Sequence, residues 1–244
     1  MAAYVRNGRM RVFALMILYA TVLIGLACVI VNVGFRADQN LVAADADRKT
    51  RPADSGQGAH ELQCFVRGLH YFTGESGWQN RQKAMDEFKK AFDRRDPRAA
   101  VMYGMRLQYA GENSEERARG KNIVEKWQPR LRGMAQKGDA YAKAVLGYSL
   151  NSPDETMRSA KLLWQAADRD IAFAQAELAA IYRLHAPNKK GIEATRYWFS
   201  RAVTQGHAQA AVLLGEMYEK GRGVPINVEQ AEKLFERGCQ RGAG

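Results

Sequence analysis

The sequence predicts an all-α protein, an α-solenoid of about five helix–turn–helix repeats behind an N-terminal transmembrane helix. Three observations carry that prediction. A pattern of small and apolar residues at helical spacing returns five times between residues 59 and 244. Each copy divides into two short amphipathic stretches joined by turn residues. One long uncharged run lies near the N-terminus. The boundaries that follow are an N-terminus over 1–11, a membrane span over 12–35, a linker over 36–58 and the repeats over 59–244.

The uncharged run, VFALMILYATVLIGLACVIVNVGF, has 24 residues. At ~1.5 Å per residue such a helix is ~36 Å long, enough to cross a ~30 Å hydrocarbon core with some tilt. It exceeds the ~7–15 apolar residues of a cleaved signal peptide. Arg6, Arg9 and Arg11 precede it and only Arg36 follows before Asp38. The positive-inside rule therefore expects residues 1–11 in the cytoplasm and the repeats across the membrane. The stretch 36–58 has no periodic apolar residues and is rich in Asp, Gly and Ala, as a flexible tether is.

The first repeat carries Ala59, Cys64, Gly68 and Tyr71 on its first helix and Ala84, Phe88 and Ala91 on its second, with Asn80 placed to cap the latter. Its turn, Gly74 to Gly77, leads into Trp78, expected to pack on its own repeat. In the second repeat Pro129 falls inside the second helix. Proline removes a hydrogen bond there, so a helix from Ser114 to Trp127, a bend at Gln128-Pro129 and a continuation to Gln136 are expected. Asn151-Ser152-Pro153 makes the turn of the third repeat, and Leu162, Leu163, Ala166 and Ala167 mark its second helix. In the fourth, His185-Ala186-Pro187-Asn188 turns the chain into Trp198, Phe199, Ala202 and Val203.

The fifth repeat is the most regular. Ala208, Ala211, Gly215 and Tyr218 share one helical face, with Leu214 beside them. Gly221 and Gly223 stop that helix, because glycine tolerates the positive φ needed past a C-terminus. Ala231, Leu234, Phe235, Gly238 and Cys239 follow on the second helix. Taking Gly215 as an anchor, the equivalent positions upstream are Ala179, Gly147, Gly104 and Gly68, spaced 32 to 43 residues apart. Small residues there are expected to let two helices touch, and helices this short need such a neighbour to persist in water.

The fifth copy resembles the Sel-one-like repeat, a relative of the tetratricopeptide repeat. The resemblance rests on Leu214-Gly215-Glu216-Met217-Tyr218, Gly221-Arg222-Gly223-Val224, Ala231, Leu234-Phe235 and Gly238-Cys239 before Gly242. It extends over roughly 59–244, less specifically in the first and fourth copies and weakly in the second and third. It implies an α-solenoid that binds other proteins and performs no catalysis. In tetratricopeptide relatives the first helices line a concave groove. Counting from the anchors, that resemblance implies a partner-binding groove containing Leu69, Phe72, Met105, Tyr141, Tyr148 and Phe173.

Net charge is +11, and the four arginines of the first 36 residues leave +7 on the rest, scattered along the helices. Without a nucleic-acid motif, this is a solvated basic surface rather than a nucleic-acid interface. His60, His70, His185 and His207 form no HExxH and no zinc spacing with cysteine. Cys64 and Cys239 are expected as buried thiols at opposite ends of the repeats. No nucleophile motif or acid pair stands out, so the chain is read as no enzyme, with no cofactor and no metal. Leu234 and Phe235 have no following repeat to cover them, and the C-terminal repeat is therefore expected to self-associate or to take a partner helix.

Together these readings describe a non-enzymatic interaction scaffold or adaptor, single-pass in a bacterial inner membrane through residues 12–35, with its repeats in the periplasm. Its expected partner is another envelope protein or peptide. The alternative is a module that binds an envelope polymer, peptidoglycan or polysaccharide, through its basic surface.

Overall fold

The computed structural model describes residues 57–75, 80–150 and 152–240. The expected N-terminus 1–11, span 12–35 and almost all of the linker 36–58 lie outside the described residues, as do Trp78 and Asn151. Among the described residues no helix is long and apolar enough to cross a membrane.

Those residues form ten α-helices and no strand. They are α1 (Gln57–Thr73), α2 (Arg81–Asp93), α3 (Pro97–Ala110), α4 (Ser114–Gln136), α5 (Ala140–Ser149), α6 (Thr156–Ala167), α7 (Ala172–His185), α8 (Lys189–Thr204), α9 (Ala208–Lys220) and α10 (Val228–Gln240). Consecutive helices pair as α1/α2, α3/α4, α5/α6, α7/α8 and α9/α10, which are the five expected repeats. Each pair packs on the next through α2 on α3, α4 on α5, α6 on α7 and α8 on α9. The first helices α3, α5 and α7 also touch directly, so they share one face of the stack.

The sequence makes helices start where they do. Asn80, Asp96, Asn113, Asp139 and Asn188 each accept a hydrogen bond from a backbone N–H in the first turn of the helix that follows. His207 does the same through Nδ1 to Ala210, and Asn227 through Oδ1 to Gln230. Each such cap is worth ~1 kcal/mol against alanine. Gly221 ends α9 at φ 65°, the left-handed conformation that glycine adopts without a Cβ penalty.

The anchors sit at the crossing of each pair, and all five are buried. A Cβ added to Gly68 would stand 2.6 Å from the Phe88 ring, and one on Gly215 would stand 2.7 Å from Phe235 Cε1. On Gly147 it would be 2.8 Å from Leu163 Cγ. Ala179 is fully buried at the same position in the fourth pair. In the second pair the facing residue is Gly120, so two glycines cross: a Cβ on Gly104 would lie 2.9 Å from the Gly120 carbonyl oxygen. The Ile123 and Val124 methyls of α4 lie 3.0 Å from the same point, so a methyl on Gly104 would meet side chains as well as backbone.

The expected span from Ser114 to Gln136 is one helix that continues through Pro129. Pro129 is exposed, so the carbonyl it leaves unbonded faces water, while buried Trp127 and Leu131 hold the helix on either side. Cys64 is buried as expected, but Cys239 is exposed. Gly238, one position earlier, takes the inward place, where a Cβ would meet Val212 Cγ2 at 2.6 Å. Leu234, expected to lack cover, is 2% exposed, and Phe235 is half-buried against Gly215.

Gly120 and Gly133 lie on the same helix and separate close packing from helix propensity. A Cβ on Gly120 would meet the Gly104 carbonyl oxygen at 2.5 Å, whereas one on Gly133 meets nothing within 4 Å. Gly120→Ala is expected to destabilise by ~1–3 kcal/mol through overpacking. Gly133→Ala is expected to stabilise by up to ~1 kcal/mol through helix propensity. Thermal or denaturant melts of the two variants check this, and a stabilising Gly120→Ala would mean that α3 and α4 do not touch there.

Candidate functional site

The face built by α1, α3 and α5 carries aromatic and long side chains seven residues apart: Phe65 and Phe72, Arg98 and Met105, Tyr141 and Tyr148. Two helical turns return a side chain to nearly the same direction, so they form two tiers. The first tier is closed. Arg98, 8% exposed, pairs with Asp96 and Asp139 at 2.9 Å each and lies over the Phe65 ring at 5.5 Å. Tyr141 meets that ring edge-on at 5.8 Å. Asp96 and Asp139 are the caps of α3 and α5, so one guanidinium ties two neighbouring helix starts together. These hydrogen bonds and charges raise the Arg98 pKa against an opposing desolvation.

The second tier is open. Phe72, Met105 and Tyr148 line a pocket of about 100 Å³ together with Arg81, Met85 and Phe88 of α2 and Met102, Arg106 and Tyr109 of α3. Pockets for small molecules and cofactors run to roughly 300–1,000 Å³. This one has room for a single large apolar side chain. Tyr109 at its mouth is 60% exposed. Phe173 of α7, buried, supports the tier from behind, with ring centroids 6.1 Å from Phe72 and 5.1 Å from Tyr148.

The six residues expected in a groove thus divide. Phe72, Met105 and Tyr148 come together at the pocket. Leu69 and Phe173 are buried in the core, and Tyr141 belongs to the closed tier. Sequence counting missed Arg81, Met85 and Phe88 as pocket residues because it followed first helices only, and these three are on α2. It missed Arg106 and Tyr109 because they are neither one nor four places past the anchor.

Burial, with Glu177 nearby, pushes the Tyr148 hydroxyl up to about 12, while Arg106 acts in the opposite direction. Glu177 is itself half-buried on α7, and burial raises its carboxyl to about 7. His207 is buried too, and the loss of solvation lowers its pKa to about 4, so the cap it forms is a neutral imidazole. Cys64 Sγ accepts from Arg67 at 3.3 Å and Arg94 at 3.2 Å. Among the described residues no group of His, Cys, Asp or Glu is arranged to hold a metal ion.

Residues 172–207 and 208–242, which are α7/α8 and α9/α10 with their turns, match the family model described as Sel1 repeat. Over 94 residues, 38% of this chain, the sequence is 35% identical to DAP3-binding cell death enhancer 1 of Rattus norvegicus, and the match spans 18% of that protein's length. Two solved structures are similar. One is a Sel1 repeat protein from Oxalobacter formigenes, at 25% identity over 47% of this chain and 90% of that one, with a TM-score of 0.42. The other is c5321, a protective antigen of uropathogenic Escherichia coli displaying an SLR fold, at 23% identity, 74% and 40% coverage and a TM-score of 0.45. Sel1 repeats are in general modules of protein–protein interaction, and no catalytic family matches.

Glu177 gives the site a pH signature. Its pKa in the folded protein, about 7, lies above the ordinary carboxylate value of 4.5. Its contribution is therefore fully favourable below about pH 4.5 and is lost as pH rises through about 7. Glu177→Gln is expected to match the wild type near pH 4.5 and to exceed it by up to ~3 kcal/mol at pH 8. His207 works in the reverse sense, losing stability as pH falls from about 6.5 to about 4, but it is common to both proteins and cancels in the difference. Melts across pH 4.5–8 check this, and a difference that does not change with pH would contradict a buried carboxyl.

Proposed function

We propose that the chain is a non-enzymatic adaptor that holds a segment of another envelope protein against the face of α1, α3 and α5. The observation that carries this reading is the open tier: an apolar pocket sized for one side chain, rimmed by Tyr109, Tyr148 and two arginines. The two Sel1 repeats beside it favour protein binding over catalysis. The rat relative's name describes a protein that binds another protein. In this reading residues 12–35 anchor the chain in a bacterial inner membrane, residues 1–11 stay in the cytoplasm, and the repeats work in the periplasm. That arrangement is supported by the 24-residue uncharged run and its arginine-rich N-terminal flank.

A photo-crosslinking amino acid placed at Tyr109 in the full chain, expressed in a bacterial cell, tests the reading. The expected result is a discrete adduct with one membrane or periplasmic protein, absent when the crosslinker is moved to exposed Lys126. The chain should remain with membranes in alkaline carbonate and leave them in detergent. Equal crosslinking from both positions, or salt-sensitive sedimentation with cell wall and no protein adduct, would favour the polymer-binding alternative and overturn the adaptor.

A further inference from the structure

The pocket's floor and its rim differ in chemistry. Phe72, Met85, Phe88, Met102 and Met105 make an apolar floor, and methionines adapt to side chains of varied shape. At the rim stand Arg81, exposed, and Arg106, half-buried. Two other arginines are matched: Arg98 in the closed tier has Asp96 and Asp139, and Arg67 has Glu87 at 2.9 Å. Neither Arg81 nor Arg106 has a carboxylate within ion-pair distance among the described residues. A half-buried guanidinium is partly stripped of water, and a planar fork of donors is shaped to take a carboxylate in two parallel hydrogen bonds.

We propose that this pocket takes a segment of a partner protein in which a large apolar side chain stands beside an acidic residue. The apolar side chain enters among Met85, Met102 and Met105, and the carboxylate meets Arg106 first and Arg81 second. The inference rests on the adaptor reading and gives its partner a chemistry. Charge complementarity selects the occupant: a basic segment would bring a cation against two arginines that have no ion-pair partner among the described residues, and a purely apolar one would leave both unmatched. The volume of about 100 Å³ limits the anchor to one side chain, so the flanking charge decides between competing segments.

The methionines supply the readout. The full chain, in detergent and labelled with ¹³C at its methionine methyls, is titrated with two short synthetic peptides, each with one central phenylalanine. One peptide carries glutamates on both sides of it, and the other carries lysines. The expected result is that the acidic peptide shifts the methyls of Met85, Met102 and Met105 and binds at least about tenfold more tightly than the basic one. Arg106→Gln is expected to weaken the acidic peptide about tenfold, the loss of one charge-assisted contact, with an unchanged melting temperature. Equal titration by both peptides, or an Arg106→Gln variant that binds as the wild type does, overturns the carboxylate assignment and leaves the adaptor reading standing. Failure of both peptides to move those methyls overturns both readings. Movement of the same methyls on deleting residues 37–47, which contain Asp38, Asp45 and Asp47, or on raising protein concentration, assigns the pocket to the chain itself and overturns a partner.

Discussion

Every helix pair in this stack closes on a residue with little or no side chain. Gly68, Gly104, Gly147, Ala179 and Gly215 occupy the crossing, and in four of the pairs a side chain or a second glycine from the other helix fills the place a larger residue would take. The remaining architecture depends on that approach. Helices of 10 to 17 residues, as most of these are, do not hold together alone in water, and packing on a partner supplies what length does not. Because Phe88, Leu163 and Phe235 lie directly on glycine, their side chains are enclosed on the inner face of their own pair and leave the outer faces free to stack. The second pair reaches the same end with Gly104 against the Gly120 backbone and the Ile123 and Val124 methyls, and it carries the longest helix.

Stacking then sets what the face of α1, α3 and α5 can do. Repeats bring Phe65, Arg98 and Tyr141 into one tier and Phe72, Met105 and Tyr148 into the next. In the first tier a guanidinium is held by the two aspartates that also cap α3 and α5, so a charged group becomes part of the frame. A buried arginine of this kind does little for net stability, since desolvation offsets the attraction, but it fixes the relation between two neighbouring helix starts. The second tier has no such plug. Its apolar residues come from four helices and leave a pocket that is smaller than a cofactor site and large enough for one side chain. The tiers differ: one is closed by its own ion pair, and the other is open with Arg81 and Arg106 at its rim.

Much of this was legible in the sequence, because the physics involved is local and periodic. The anchors were found from the return of small residues, the cap at Asn80 from its place before an apolar-periodic run, and the left-handed stop at Gly221 from glycine itself. The continuation of α4 through Pro129 to Gln136 was legible as well, and buried Trp127 and Leu131 lie on either side of the proline. Cys239 was placed inward because two adjacent positions, 238 and 239, both suit a helix face, and only the contact with Val212 shows which one turns in. The site was half legible. Phe72, Met105 and Tyr148 follow from counting along first helices, but Arg81, Met85 and Phe88 enter from α2, and no period in the sequence says that a second helix reaches that face. Burial of Glu177 and His207 was not legible at all, since each depends on what stacks above it.

The central claim is that a glycine at the crossing is required because a specific side chain lies on it, and a double-mutant cycle at Gly215 and Phe235 tests this most directly. The melts needed are those of Gly215→Ala, Phe235→Ala and the pair together in the full chain. Gly215→Ala alone is expected to cost ~1–3 kcal/mol. With Phe235 truncated, the added methyl finds space, so the same change should cost at least ~1 kcal/mol less, a coupling typical of residues in direct contact. Strictly additive costs would contradict the account, because they would mean that Gly215 and the Phe235 ring do not meet.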